Sequence, residues 1–184
     1  HPGSCPDILG LVQTGTLGDP QLDRASGLAA SRANPGVLWS HNDGDQPARL
    51  FALGTTGAEL ATFVLPDALN SDWEDIALGV NPLSGESTIF VADAGDDAVN
   101  RQEFSVYMLA EPTAEAIGDA EGETELAWSD LTLAYPDGAA LNSETLMFDP
   151  QSGALLVVSR DPGGGTTSLF RIAAPHVPGS FPEP

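Results

Sequence analysis

The sequence predicts an all-β fold, on three observations. Long amphipathic helix periodicity is almost absent, short apolar runs alternate with Gly, Pro, Asn and Asp punctuation, and three stretches of the chain superpose on one another. A chain of 184 residues, 41% of them hydrophobic, is long enough to bury one core.

The superposition sets the elements in order. Ser26-Gly-Leu-Ala-Ala-Ser, Glu74-Asp-Ile-Ala-Leu-Gly and Glu144-Thr-Leu-Met-Phe-Asp align as three first strands. Each leads through a turn to a second apolar run, Val37-Leu-Trp-Ser, Ser87-Thr-Ile-Phe-Val or Ala154-Leu-Leu-Val-Val-Ser. Polar loops follow: His41-Asn-Asp-Gly-Asp, Asp93-Ala-Gly-Asp-Asp and Arg160-Asp-Pro-Gly-Gly-Gly. Third strands begin at Ala48, Phe104 and Ser168, and fourth strands are readable at Glu59-Leu-Ala-Thr-Phe-Val-Leu and around Leu126-Ala-Trp-Ser-Asp-Leu. The third unit reaches Pro184 without one. The one helix-tolerant stretch, 111–125, is rich in Ala and Glu but interrupted by Gly118 and Gly122, so it reads equally as a helix or an exposed loop.

Four short antiparallel strands recurring at roughly 50 to 70 residues is the pattern of propeller blades. The expected architecture is β-propeller-like, with about three four-stranded blades over 24–66, 72–135 and 142–174 of a single domain spanning 1–184. Three blades do not close a ring, because closed propellers use about four to eight. The expectation is therefore an incomplete ring, finished by a missing segment or a partner chain, or self-association through open strand edges. Residues 9–15 are the candidate for an outer closing strand.

Charge narrows the function. Asp and Glu number 27 against six Arg and no Lys, a net charge of −21, so a nucleic-acid partner is excluded for want of any basic stripe. So many carboxylates repel one another in a compact state, and bound divalent cations relieve that directly. No window approaches the roughly 20 apolar residues of a membrane helix. The start, His1-Pro-Gly-Ser-Cys, reads as the trimmed start of a secreted, extracellular chain, and Cys5, the sole cysteine, has no internal disulfide partner. An N-terminal His can chelate copper, but blade-like repeats disagree with the sandwich fold of the enzymes that use one.

The acidic loops carry the candidate chemistry. Calcium takes six to eight hard oxygen ligands, which flexible Asp- and Gly-rich loops supply. Asp93, Asp96 and Asp97 share one such loop, with Gly95 permitting a tight turn. Glu74 and Glu144 occupy the same place in their units, where inner strands face a central channel, and Asp72 and Asp75 flank Glu74. The candidate metal ligands are Asp43, Glu74, Asp75, Asp93, Asp96, Asp97 and Glu144, with Asp72 a further choice and calcium the expected ion. Trp73 is expected to pack between blades. His41, beside Asn42 and Asp43, is a candidate general base, with Glu144 as a catalytic carboxylate. No Gly-x-Ser-x-Gly nucleophile accompanies it, so a structural role for His41 stands beside the catalytic one. Arg160 is placed to neutralise carboxylates or to hold a substrate anion.

The Trp39-Ser-His-Asn-Asp loop, Asp72-Trp-Glu-Asp, Asp93-Ala-Gly-Asp-Asp and Ser143-Glu-Thr-Leu, in that order over about residues 24–173, resemble a bacterial secreted β-propeller family. Its members show Trp-x-His-Asn-Asp, Asp-Trp-Glu-Asp, Gly-Asp-x-Gly-Asp-Asn and a later Glu-Ala-Leu strand. More distantly the chain is similar to SdiA-regulated and gluconolactonase-like calcium-binding propellers. This sequence departs at Ala92, where that pattern has Gly, and at Asp97, where it has Asn. The resemblance implies an extracellular propeller in which acidic and amide residues at inner-strand ends hold a metal. Three functions fit: a calcium-rigidified binding or structural module, a calcium-dependent hydrolase of an ester, lactone or phosphoester, and a self-assembling extracellular protein.

Overall fold

The computed structural model describes residues 10–161 and 165–178, so His1, Cys5 and two glycines of the third loop, Gly163 and Gly164, lie outside the described residues. The fold is all-β, in three sheets. The first contains β1 (Ala25–Ala30), β2 (Val37–Asn42), β3 (Arg49–Gly54) and β4 (Glu59–Val64) as successive antiparallel neighbours. The second contains β5 (Trp73–Val80), β6 (Ser87–Asp93), β7 (Glu103–Ala110) and β9 (Ser129–Ala134), also antiparallel. The third has β10 (Asn142–Phe148), β11 (Leu155–Arg160) and β12 (Leu169–Ile172). A three-residue strand, β8 (Glu123–Glu125), leaves the second unit to pair in parallel with β4.

Strands β1 and β10 both pack against β5, which makes the second sheet a middle layer with both faces covered. That explains its sequence. Side chains of a strand alternate between faces, so a strand covered on both sides must be apolar throughout. Ile89, Phe90, Val91 and Ala92 of β6 are all exposed by 1% or less. Ile89 and Val91 meet Trp39, Leu50 and Phe63 of the first sheet, while Phe90 and Ala92 meet Leu146, Leu155 and Val157 of the third. Each such side chain contributes about 1.5–3 kcal/mol on full burial. Strand β1 is covered on one face only: Leu28 is 62% exposed.

The first strand pair of each sheet carries an irregularity, and the first sheet has another in its β3–β4 pair, between Ala52 and Leu53. The register shifts between Ala25 and Leu28, between Trp73 and Asp75, and between Ser143 and Thr145. A bulge adds an unpaired residue and re-aims its side chain. Glu74 and Glu144 are those residues in the second and third sheets.

The stretch read as helix or loop, 111–125, contains both a short helix and a short strand. Thr113 caps a short helix, α1 (Ala114–Gly118), by accepting from the Ala116 amide, and Ile117 is buried against β4. Beyond Gly122, held at φ +61°, β8 forms and the chain is tied back by Leu126 N–H to the Val64 carbonyl at 2.9 Å and by Trp128 Nε1–H to the Pro66 carbonyl at 2.8 Å. The residues read as a closing strand behave differently: 10–15 join no sheet, and Leu11 and Val12 are 105% and 81% exposed. Among the described residues the three sheets form an open series, and no helix is long and apolar enough to cross a membrane.

Candidate metal centre

A cavity of about 400 Å³ opens where the ends of β1, β5 and β10 meet the loops after β2 and β6. Its walls carry Asp43, Asp72, Glu74, Asp97 and Glu144, with Arg24 and Arg160 at the margin. Glu74 and Glu144 reach it because both bulges turn their side chains out of the pleat toward the same space. Asp43 comes from the turn after β2, and Asp72 from the turn entering β5.

Asp43, Asp72 and Glu74 each offer a carboxylate oxygen within 4.8 Å of the other two. That spacing has a physical limit behind it: ligands of one calcium at about 2.4 Å cannot lie more than about 4.8 Å apart. The backbone comes close as well. A Cβ on Gly44 would stand 2.7 Å from Asp72 Oδ1, and one on Gly95 would collide with both Asp72 Oδ2 and Glu74 Oε1. Both positions require glycine for the carboxylates to keep their places.

The surrounding residues fix this arrangement. Asp93, 2% exposed, accepts from the Asp72 and Ser71 amides at 2.9 and 3.3 Å and pairs with Arg101 at 3.0 Å. Gly95 N–H donates to the Asp72 carbonyl at 3.1 Å. Asp96 accepts from the Asn100 and Arg101 amides, both at 2.6 Å, and closes its own loop. Asn142, 1% exposed, accepts from the Asp96 amide at 2.9 Å and donates to Glu144 at 3.0 Å and Asp97 at 3.2 Å. It thereby ties the loop after β6 to the first strand of the third sheet.

Charge compensation is uneven. Arg24 pairs with Asp43 at 2.9 Å, and Arg160 with Glu144 at 2.7 Å and Asp97 at 3.7 Å. Among the described residues no hydrogen bond or close ion pair reaches the Asp72 and Glu74 carboxylates; Arg101 and Arg160 act on them only at longer range. Burial pushes the Glu74 carboxyl up to about 8, with Glu144, Asp72, Asp43 and Asp97 adding repulsion. Burial likewise raises Asp72, reinforced by Asp43, Asp97 and Asp93. All donors in the cavity are oxygens, the set that suits hard cations rather than zinc or copper.

Of the residues singled out in the sequence, Asp43, Glu74, Asp97 and Glu144 line the cavity, and Asp75, Asp93 and Asp96 do not. Asp75 accepts from the Leu146 amide at 2.8 Å and so joins β5 to β10. His41 is fully buried between β1 and β5, edge-on to Trp73 at 5.7 Å, and also does not line the cavity. Its Nδ1 bonds the Asn42 carbonyl at 2.9 Å while Nε2 has no partner among the described residues. Burial lowers its pKa and keeps the ring neutral. Trp73 is fully buried, packs on Tyr107 at 5.5 Å and donates to the Leu69 carbonyl. Asp72, a further choice in the sequence, belongs to the carboxylate cluster, and Asn142, which ties Asp96, Asp97 and Glu144 together beside it, was not singled out. Glu111 was also missed; its carboxylate accepts from Trp39 Nε1 and the Arg32 and Ala33 amides, and from the Ser31 and Ser87 hydroxyls. No local motif marks it, because every donor lies at least 24 residues away.

Compared with known proteins, the chain matches no family model and no curated protein.

Proposed function

We propose that this chain is an extracellular calcium-binding module of β-propeller type, in which an ion held by Asp43, Asp72 and Glu74 rigidifies the loops at one end of the sheet array. The observation that carries the reading is the pair Asp72 and Glu74: two half-buried carboxylates side by side, without a donor among the described residues, on backbone pinned by Asp93 and Gly95. A folded chain tolerates such a pair at neutral pH when a proton or a cation sits between them. Glu144 and Asp97 are near enough to raise the charge density at the ion, and the open cavity leaves room for waters to complete six to eight ligands. Calcium fits this loose, all-oxygen set better than magnesium, which demands a near-ideal octahedron at about 2.0–2.1 Å. Affinity in the range of extracellular modules, about 10⁻⁴–10⁻³ M, matches three carboxylates with two arginines nearby.

The blade reading is supported by register. Aligned at their bulges, the three sheets place Ser26, Glu74 and Glu144 together, then Gly27, Asp75 and Thr145, then Leu28, Ile76 and Leu146. This matches the superposition expected from sequence; Glu74 and Glu144 line the cavity from the second and third sheets, while Ser26 of the first sheet does not. A binding or structural role is favoured over the hydrolase, because of the two candidate catalytic residues His41 lies outside the cavity and Glu144, which lines it, is paired with Arg160. Calcium at 100 times its dissociation constant should stabilise the fold by about 2.7 kcal/mol, with EDTA reversing the gain. Asp72→Asn and Glu74→Gln should each abolish that response while leaving the metal-free protein folded. A melting temperature indifferent to millimolar calcium would remove the proposal.

A further inference from the structure

Two residues exposed at opposite ends of the sheet series have buried counterparts elsewhere in the same chain. In the alignment above, Leu28, Ile76 and Leu146 share one position: they pair with Ser40, Val91 and Val157 across their first strand pairs. Ile76 and Leu146 are each 4% exposed because each packs on the preceding sheet, whereas Leu28 is 62% exposed. The next position holds Ala29, Ala77 and Met147. Ala29 and Ala77 pack on the following sheet, whereas Met147 is 53% exposed. Leu169 of β12 is 66% exposed, while its counterpart in the middle sheet, Val106, is fully buried. The chain thus carries two internal joints of one kind and, at the two ends of its sheet series, halves of the same joint that are unmatched among the described residues.

We infer that these halves receive each other between two copies of this chain. The outer face of the third sheet in one copy packs on the outer face of the first sheet in the other. A two-fold arrangement repeats the contact and gives a closed series of six sheets. Six lies within the four to eight that close a propeller, and a head-to-tail contact of this kind forms a ring when its rotation closes. The inference rests on the blade equivalence proposed above and is independent of the metal.

Three features fit that occupant. The internal joints are centred on first strands, β1 beside β5 and β5 beside β10, and the exposed residues Leu28 and Met147 also lie on first strands. Leu22 and residues 14–17 cover only the β3 side of the first sheet's outer face, over Phe51 and Leu53, and leave β1 open. The cavity of about 300 Å³ between that covering segment and β1 is lined without a single charged side chain. Elsewhere this chain carries a net charge of −21, and interface centres are depleted of charge relative to other surface. Two such chains repel at long range, so the pair should tighten with salt, opposite to a contact held by ion pairs.

Sedimentation equilibrium on the 184-residue chain, at about 1–100 μM in moderate salt, tests this. The expected mass is about 38 kDa, twice the 19.0 kDa of one chain. In this arrangement position 28 of one copy lies against the surface that holds position 147 of the other, since Ile76 and Ala29 share one cluster within the chain and Leu146 and Ala77 share the other. Leu28→Arg or Met147→Asp alone should therefore give 19.0 kDa, and the double variant should regain the larger mass through the Arg–Asp pair. Circular dichroism melts check that each variant is folded; Leu169→Asp replaces any that is not. A wild-type chain that stays single throughout, masses that grow past two copies, or single variants that leave the pair intact would each overturn the inference. If the chain is single but calcium still raises its melting temperature, pairing alone falls and the metal reading stands.

Discussion

Glu111 and Glu74 lie at opposite ends of β6, and the protein treats them in opposite ways. Glu111 is 7% exposed and receives five donors, two from backbone amides, two from hydroxyls and one from the Trp39 indole. Burial alone would raise its pKa, but those hydrogen bonds outweigh it and hold the carboxyl below its ordinary value. Glu74 receives none, and burial among like charges drives it up to about 8. One chain can evidently assemble a full complement of donors around a carboxylate. Where it leaves two carboxylates without any and pins the backbone beneath them, the arrangement suits a ligand from outside. The Glu111 end is a clamp finished by folding; the Glu74 end is the one the proposed ion would finish.

Breaking the clamp should have the largest effect. Glu111→Ala leaves the Trp39 indole and two amides without their acceptor, and the expected loss is about 3 kcal/mol. For a chain of this size that lowers the melting temperature by roughly 6–12 °C, equally with and without calcium. A loss that calcium partly repairs would blur the distinction between the two ends. Gly95→Ala should do the reverse. Its Cβ collides with the Asp72 and Glu74 carboxylates, so calcium should bind about tenfold more weakly, about 1.4 kcal/mol, while the metal-free melting temperature moves little.

The smallest effect is in pH dependence. Without metal, the folded chain holds a proton on Glu74 up to about pH 8 that the unfolded chain releases near 4.5. Stability from this group is therefore full below pH 4.5 and is lost as pH rises toward 8. His41 works oppositely: its folded pKa is depressed, so the unfolded chain takes the proton first and stability falls as pH drops below about 6.5. His176, also depressed by burial, acts like His41, so pH 6.5–8 is the window in which the loss from Glu74 is read without either histidine. Melts in EDTA across that window should decline for the wild type and stay level for Glu74→Gln. Glu111, with a depressed pKa, adds stability above about pH 4.5 that is lost only on further acidification.

How far the sequence foretold these features depended on where each residue finds its partners. First strands were legible because their apolar residues are punctuated by turns, and the equivalence of Glu74 with Glu144 survives as two matching bulges. The ligand set was less legible. Asp72, Asp75, Asp93 and Asp96 look alike in sequence, yet three of them spend their oxygens on backbone amides and only Asp72 turns to the cavity. On β5 a single bulged residue decides that Glu74 turns to the cavity and Asp75 to the β10 backbone, and a bulge has no reliable composition. Glu111, Asn142 and β8 were invisible for a related reason: their partners lie far away in the chain, so no local pattern marks them.

Calorimetric titration with calcium at pH 7, repeated in buffers of different ionisation heat, tests the central claim most directly. It counts the protons that leave as the ion enters. A cation that takes the place of the proton on Glu74 should expel about one per calcium bound in the wild type and none in Glu74→Gln, whose residual binding should be far weaker. Binding without proton release, or a Glu74→Gln isotherm equal to that of the wild type, would contradict it.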